Sequence, residues 1–252
     1  MDFLNHFRGD WKTMKKIAII LIIVLAFCMP AHAGDIVLEP GLIQSEFDQL
    51  SKELGFGISY FPMAPAAPLG ILGFNAGIEV TMLDIKQNSI YWANVTTETP
   101  PDYLPVPKLH IQKGLPLRID IGAIFTQVPG SNIKLFGGEL KWAILEGSVV
   151  TPAFALRGAY TKLDGVDTLD MDTMSLDASI SKGFVMFTPY AGVGQLWINA
   201  EEKAGIGLEE AKEELTNVYG GIKFDPFPLV SLTAEVDYAD MVAYSLRLSV
   251  NF

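Results

Sequence analysis

Apolar and polar residues alternate one for one through most of this chain. In "LPLRIDIGAIFTQV", Leu117, Ile119, Ile121, Ala123 and Phe125 share one face, and Arg118, Asp120, Gly122 and Thr126 the other, with Ile124 as the exception. "VSLTAEVDYA" sets Val230, Leu232, Ala234, Val236 and Tyr238 against Ser231, Thr233, Glu235 and Asp237. Successive side chains of a strand point to opposite faces, so a period of two predicts strands with one apolar face each. The pattern, strict or looser, covers ten segments near 71–83, 106–112, 116–128, 133–145, 149–161, 169–181, 184–199, 215–226, 229–238 and 243–252. Turn-forming stretches separate them: "VPGSN", "EGS", "LDGVD", "KG" and "DPFP". Two longer polar connections lie around 84–105 and 200–215.

Most of these segments are about ten residues or more, long enough for a tilted strand to cross a bilayer. Strands of soluble sheets cluster near about five or six. Half of all residues are hydrophobic, yet after Gly34 nothing approaches the ~20 apolar residues of a membrane helix. Alternation alone fits either a soluble sandwich, with its apolar faces together, or a barrel whose apolar face meets lipid. The last segment, "AYSLRLSVNF", favours the barrel. Tyr244, Leu246, Leu248, Val250 and Phe252 alternate with polar residues up to the carboxylate. A strand that ends the chain on an apolar side chain needs a partner, and a closed barrel supplies one by pairing its last strand with its first.

This ending resembles the C-terminal assembly signal of bacterial outer-membrane β-barrel proteins. The matching features are the terminal aromatic Phe252, apolar residues at every second position before it, and the aromatic Tyr244 at the far end. The resemblance implies an all-β, transmembrane, antiparallel up-and-down barrel of about ten strands in the cell outer membrane. It also implies recognition of the terminal strand by the barrel-assembly machinery, and outer-membrane lipid and lipopolysaccharide as surroundings. The family keeps its C-terminus and short turns in the periplasm and its longer loops outside. That sidedness fits "DPFP", "KG" and "EGS" on one side and 163–168 and 200–215 on the other. "LGFGISYF" (54–61) reads as an eleventh strand, so twelve is the alternative count, because single-chain barrels usually have even numbers.

The N-terminus reads as an export signal. From Met14, the basic Lys15 and Lys16 precede an apolar run from Ile17 to Phe27, then the small-residue cleavage pattern Ala31-His32-Ala33 before Gly34. Residues 1–33 are therefore a signal peptide with an upstream extension. They carry Arg8, Lys12, Lys15 and Lys16 against Asp2 and Asp10, a net +2, so the chain's −11 becomes −13 for the remainder. That balance excludes nucleic acid as a partner. Residues 34–53 read as an N-terminal helical segment ahead of a barrel at 54–252. Within it Ile43, Phe47, Leu50 and Leu54 recur at helical spacing, with Ser45 as cap and Gly55 as stop. This short amphipathic helix is expected to rest at the periplasmic rim; insertion into the lumen as a plug is the alternative.

Ten charges fall on polar faces and are expected to line the lumen: Glu79, Arg118, Asp120, Glu139, Lys141, Arg157, Asp177, Glu235, Asp237 and Arg247. Charges in a poorly hydrated lumen must be paired or wet, and ten strands enclose little more than the eight whose interiors side chains fill. The expectation is a narrow or plugged pore for small solutes, with an acidic excess favouring cations, or a structural surface barrel. The alternatives are an outer-membrane lipid-modifying enzyme and a soluble periplasmic ligand-binding barrel or sandwich. The enzyme reading has little to stand on: His110 is the only histidine after residue 33, and no GxSxG, HExxH or phosphate-cradling loop occurs. Asp164, Asp167, Asp170 and Asp172 have no calcium-loop spacing. No catalytic residues, metal or cofactor are expected.

Overall fold

The computed structural model describes residues 38, 41–85, 90–93, 102–127 and 132–252. The signal segment, with Ala31, Ala33 and Gly34, lies outside the described residues, as do 86–89, 94–101 and 128–131. Helix α1 (Gln44–Ile58) is followed by β1 (Phe74–Asp84), the four-residue helix α2 (Ile90–Ala93), β2 (Tyr103–Leu115), a 3-10 turn at Pro116–Arg118 and β3 (Ile119–Gln127). Seven more strands complete the chain: β4 (Lys134–Leu145), β5 (Ala153–Asp164), β6 (Leu169–Ser181), β7 (Phe187–Glu202), β8 (Ala211–Phe227), β9 (Val230–Tyr238) and β10 (Val242–Asn251).

Each strand pairs antiparallel with its sequence neighbours, and β1 pairs with β10, closing a ten-stranded up-and-down barrel. The terminal residue completes the seam. Phe74 N–H donates to Phe252 O at 3.0 Å, and Phe252 N–H donates back to Phe74 O at 2.8 Å. Closure gives every strand a partner on both sides, as an apolar surrounding requires. The β2–β3 ladder is the shortest, ending at Leu109 opposite Phe125. Beyond it Pro105 and Pro107 have no N–H to donate, and Thr126 Oγ1 donates to Pro107 O instead.

The outward face of the wall is apolar and exposed, including Leu140, Trp142, Leu176, Val193, Val218 and Tyr244. The two ends differ. One carries the tight connections β2–β3, β4–β5, β6–β7 and β8–β9 together with Phe252; the other carries the loops. These are the short-turn end and the loop end below.

The helix occupies the lumen, not the rim. Phe47, Leu50, Ser51, Glu53 and the stretch Leu54–Ile58 are all buried. Its first turn lies at the loop end, where the Gln44 side chain exchanges hydrogen bonds with backbone atoms of Glu209 at 2.8 and 3.1 Å, and Lys52 pairs with Glu213 at 3.1 Å. Residues 59–73 then run to the short-turn end and enter β1. The barrel wall therefore starts at Phe74, and 54–61 is helix end and lumen segment, not a strand. Ser45 is not the cap: the helix begins after Ile43, whose N–H donates to Glu46 Oε2 at 3.3 Å. Gly55 does not stop the helix either. A Cβ there would sit 2.4 Å from Ile198 Cγ2, and one at Gly57 would sit 3.0 Å from Leu83 Cδ2. The two glycines let the helix backbone approach the wall closely enough to fit inside it.

The lumen has two layers. Near the loop end its inward residues are apolar: Leu135, Leu163, Met171, Leu196 and Ile198 pack with Phe47, Leu50 and Leu54 of α1. Toward the middle and the short-turn end they are charged and polar.

Candidate functional site: the filled lumen

Nine of the ten charges read as lumen residues lie buried inside the barrel, each no more than 6% exposed. Arg118 is the correction. Pro116 opens a turn in which Leu117 and Arg118 both have φ of 64°, so β3 and its alternation begin only at Ile119. Arg118 is half-exposed at the rim, paired with Glu146 at 2.9 Å and donating to Ile144 O at 3.0 Å.

Apart from Glu235 and Asp237, which lie on β9, the buried charges form three groups. Arg247 donates to Glu79 Oε2 from Nε at 3.1 Å and Nη2 at 2.8 Å, and Lys108 meets the other oxygen of Glu79 at 3.4 Å. Arg157 meets Asp177 Oδ2 at 2.7 Å through both Nε and Nη2, and lies 3.4 Å from Glu139. Tyr219 OH completes Asp177 at 2.7 Å, and Gln112 donates to Glu139 at 2.8 Å. Lys141 pairs with Asp120 at 3.0 Å. Lys108 is the wall cation that the sequence reading omitted. It shares the inward parity of β2 with His110 and Gln112, against Leu109 and Ile111 outside.

These groups, together with Glu235, bind the backbone of "SYFPMAPAAPL", residues 59–69. Lys108 Nζ donates to Ser59 O at 3.2 Å, Arg157 Nη1 to Tyr60 O at 3.1 Å, and Arg247 Nη1 to Met63 O at 3.2 Å. Lys141 Nζ donates to Pro65 O at 2.9 Å and to Ala67 O at 3.1 Å. In the other direction, Met63 N–H donates to Glu235 at 3.0 and 3.1 Å, and Leu69 N–H to Asp120 at 3.1 and 3.2 Å. An irregular backbone inside a barrel has no ladder to satisfy it. Here four wall cations and two carboxylates replace the ladder, and Pro62, Pro65 and Pro68 remove three donors that would need acceptors.

Some buried groups stand apart. Among the described residues, neither ring nitrogen of His110 and neither carboxylate oxygen of Asp237 has a hydrogen-bond partner. The His110 ring packs against Tyr60 at a centroid distance of 6.1 Å, with the planes at 70°. At the loop end Glu53, on α1, accepts Tyr91 OH and Trp92 Nε1 of α2, both at 2.7 Å. The β1–β2 connection is thereby fastened to the plug. At the opposite end a cavity of about 160 Å³ lies between residues 63–69 and the wall, lined in part by Asn75, Gln112, Lys141, Lys223 and Arg247.

The residues of the terminal strand lie in the seam. Tyr244 and Leu246 are exposed outside, Leu248 shares their parity but is buried, and Phe252 is exposed at the short-turn end. Asp170 pairs with Lys162, and Asp172 accepts from Asn199 at 3.2 Å, so this acidic stretch is split between separate partners.

Fold and site together define a class: a closed antiparallel barrel of ten strands whose lumen is filled by the segment preceding its first strand. Solved structures of other barrels are similar to it. The N-terminal β-barrel domain of Pseudomonas aeruginosa OprF matches with 14% identity and a TM-score of 0.38, covering 73% of this chain and 99% of that one. The Yersinia pestis outer membrane protein Ail in a phospholipid nanodisc matches with 12% identity and a TM-score of 0.31, covering 71% and 99%. Neisserial surface protein A matches with 12% identity and a TM-score of 0.30, covering 71% and 95%. No protein-family model matches the sequence, and no curated protein matches it.

Proposed function

We propose that this chain is an outer-membrane barrel that is closed at rest, a structural surface barrel and not an open channel for solutes. The apolar outward wall and closed ladder support a lipid surrounding, since an exposed apolar belt this extensive is unfavourable in water. Handling by the barrel-assembly machinery, through Tyr244, Leu246, Leu248, Val250 and Phe252, is part of this proposal. The acidic loop end, with Glu201, Glu202, Glu209 and Glu210, would meet lipopolysaccharide through divalent cations.

One observation carries the closed state. The wall charges at mid-barrel are buried and hydrogen-bonded to residues 59–69, whereas a water-wide path past them would leave them exposed. A soluble binder is disfavoured by the apolar exterior, and a lipid-modifying enzyme by His110 being sealed inside without a partner. Purified protein in planar bilayers tests the proposal. Silence is expected from the intact chain, and conductance steps should appear once residues 44–69 are deleted. Steady steps from the intact chain would refute the closed state.

A further inference from the structure

At the short-turn end every connection carries an exposed apolar side chain: Leu72 before β1, Leu117, Val149, Val185 and Leu229 at the four turns, and Phe252 at the chain end. The described loops at the other end do the reverse. There Val166, Ile206 and Leu208 fold back onto the lumen cluster, and Ala239 and Met241 are buried. Ordinary turn chemistry would place Gly or Asn at such tips. Instead Val185 is held fully exposed at φ 45° and Leu117 at φ 64°, a backbone region that bulky and β-branched side chains avoid.

Two strands that lead to these turns, β6 and β8, have short apolar faces. On β6 the outward apolar run is Met174–Ile180, with Asp170 and Asp172 beyond it; on β8 it is Val218–Phe224, with Lys212 and Glu214 beyond. At ~3.3 Å per residue and a tilt of ~40°, each run covers about 15 Å along the barrel axis, against ~25 Å for the apolar band of such barrels. The β6–β7 turn, with Val185 at its tip, extends the surface by roughly the missing 10 Å at the same rise per residue. Charges stand beside the tips: the half-exposed Arg118–Glu146 pair and two lysines that bind turn carbonyls. Lys182 donates to Ser148 O at 2.8 Å and Val149 O at 2.7 Å, bracing two neighbouring connections, and Lys113 donates to Ile71 O at 2.7 Å.

We propose that the short-turn end is a lipid-inserted surface. The tips carry the apolar belt past the ends of the strands to the headgroup and acyl boundary of the nearer leaflet, and Lys113 and Lys182, set back toward the strands, reach out along them toward the phosphates. This rests on the reading of the barrel as membrane-spanning, and it continues the same lipid-facing wall.

The test uses single cysteines carrying an environment-sensitive nitrobenzoxadiazole label in phospholipid vesicles. Val185→Cys and Val149→Cys report two separate turns, so one remains informative if the other does not fold. Leu246→Cys marks the wall and Glu210→Cys the loop end. The tip labels should be quenched by brominated acyl chains as the wall label is. Their quenching by aqueous iodide should fall about tenfold below that of the loop label, as insertion ~5–10 Å into the headgroup and acyl boundary requires. Tip labels open to iodide beside a lipid-quenched wall label would overturn the insertion and leave the barrel reading intact. Tip labels shielded from both quenchers would indicate a protein partner and also overturn it. A wall label open to iodide would remove the membrane reading, and the proposal with it.

Discussion

Arg247→Met removes one guanidinium from the middle of the lumen. Three contacts are lost: two charge-assisted hydrogen bonds to Glu79, at 2.8 and 3.1 Å, and the bond to Met63 O at 3.2 Å. Glu79 keeps only the longer contact to Lys108, at 3.4 Å. Breaking a buried pair from one side leaves an uncompensated charge and costs ~3–5 kcal/mol, roughly a fifth or more of the ~5–15 kcal/mol that holds a typical domain together. Urea unfolding in vesicles, followed by tryptophan fluorescence and heat-modifiable gel mobility, measures the loss. Adding Glu79→Gln removes the stranded charge, so the double variant should recover at least ~1 kcal/mol relative to additivity. A loss below ~1 kcal/mol, the size expected of a solvated pair, together with an additive cycle, would mean that water reaches Glu79. The closed lumen would then be wrong.

Other perturbations test other parts of the plug. Glu53→Gln weakens the acceptor for Tyr91 and Trp92; a loss of ~1.5–3 kcal/mol is expected, with a red shift of the Trp92 emission. Gly55→Ala forces a methyl against Ile198, and overpacking of this kind costs ~1–3 kcal/mol; with Ile198→Ala in the same chain the double variant should lose less stability than the two single losses added together. Pro62→Ala places a new N–H in a buried position, which costs ~1–3 kcal/mol if no acceptor reaches it; calorimetry in detergent reads the shift. An epitope inserted at the exposed Gly41 should be reached by antibody on intact cells, because α1 starts at the loop end. Labelling only after the outer membrane is permeabilised would contradict that path.

The ten strands were legible because a half-buried strand writes its two faces into the sequence at a period of two, and the wall here obeys it nearly throughout. The site was less legible. Phe47, Leu50 and Leu54 have the same helical spacing whether the helix lies on a rim or inside a lumen, so periodicity could not choose between them. The signal that could have chosen was in the wall. Leu135 beside Phe136 and Ile198 beside Trp197 are apolar on both parities, which a watery lumen would not favour. Ile124, the exception in its strand, is one of these inward apolar residues. Gly55 looked like a helix stop because sequence cannot distinguish a glycine that ends a helix from one that admits a neighbour. Arg118 followed the alternation on paper but stands in a turn with left-handed backbone.

The polar layer solves a problem that the apolar layer cannot. A helix satisfies its own backbone, so α1 can lie among leucines and isoleucines. The proline-rich segment after it has no internal hydrogen bonds of that kind, and in an apolar lumen each carbonyl would be stranded at a cost of several kcal/mol, roughly. Lysine and arginine on the wall supply donors to those carbonyls, but four cations in so small a volume would repel one another. The carboxylates divide the work: Glu235 and Asp120 accept from Met63 and Leu69, while Glu79, Asp120, Glu139 and Asp177 neutralise the cations that hold the plug. On this account the charge pattern follows from the plug. A fully helical insert, its carbonyls already paired within the helix, would offer Lys108, Lys141, Arg157 and Arg247 no backbone acceptors at mid-barrel.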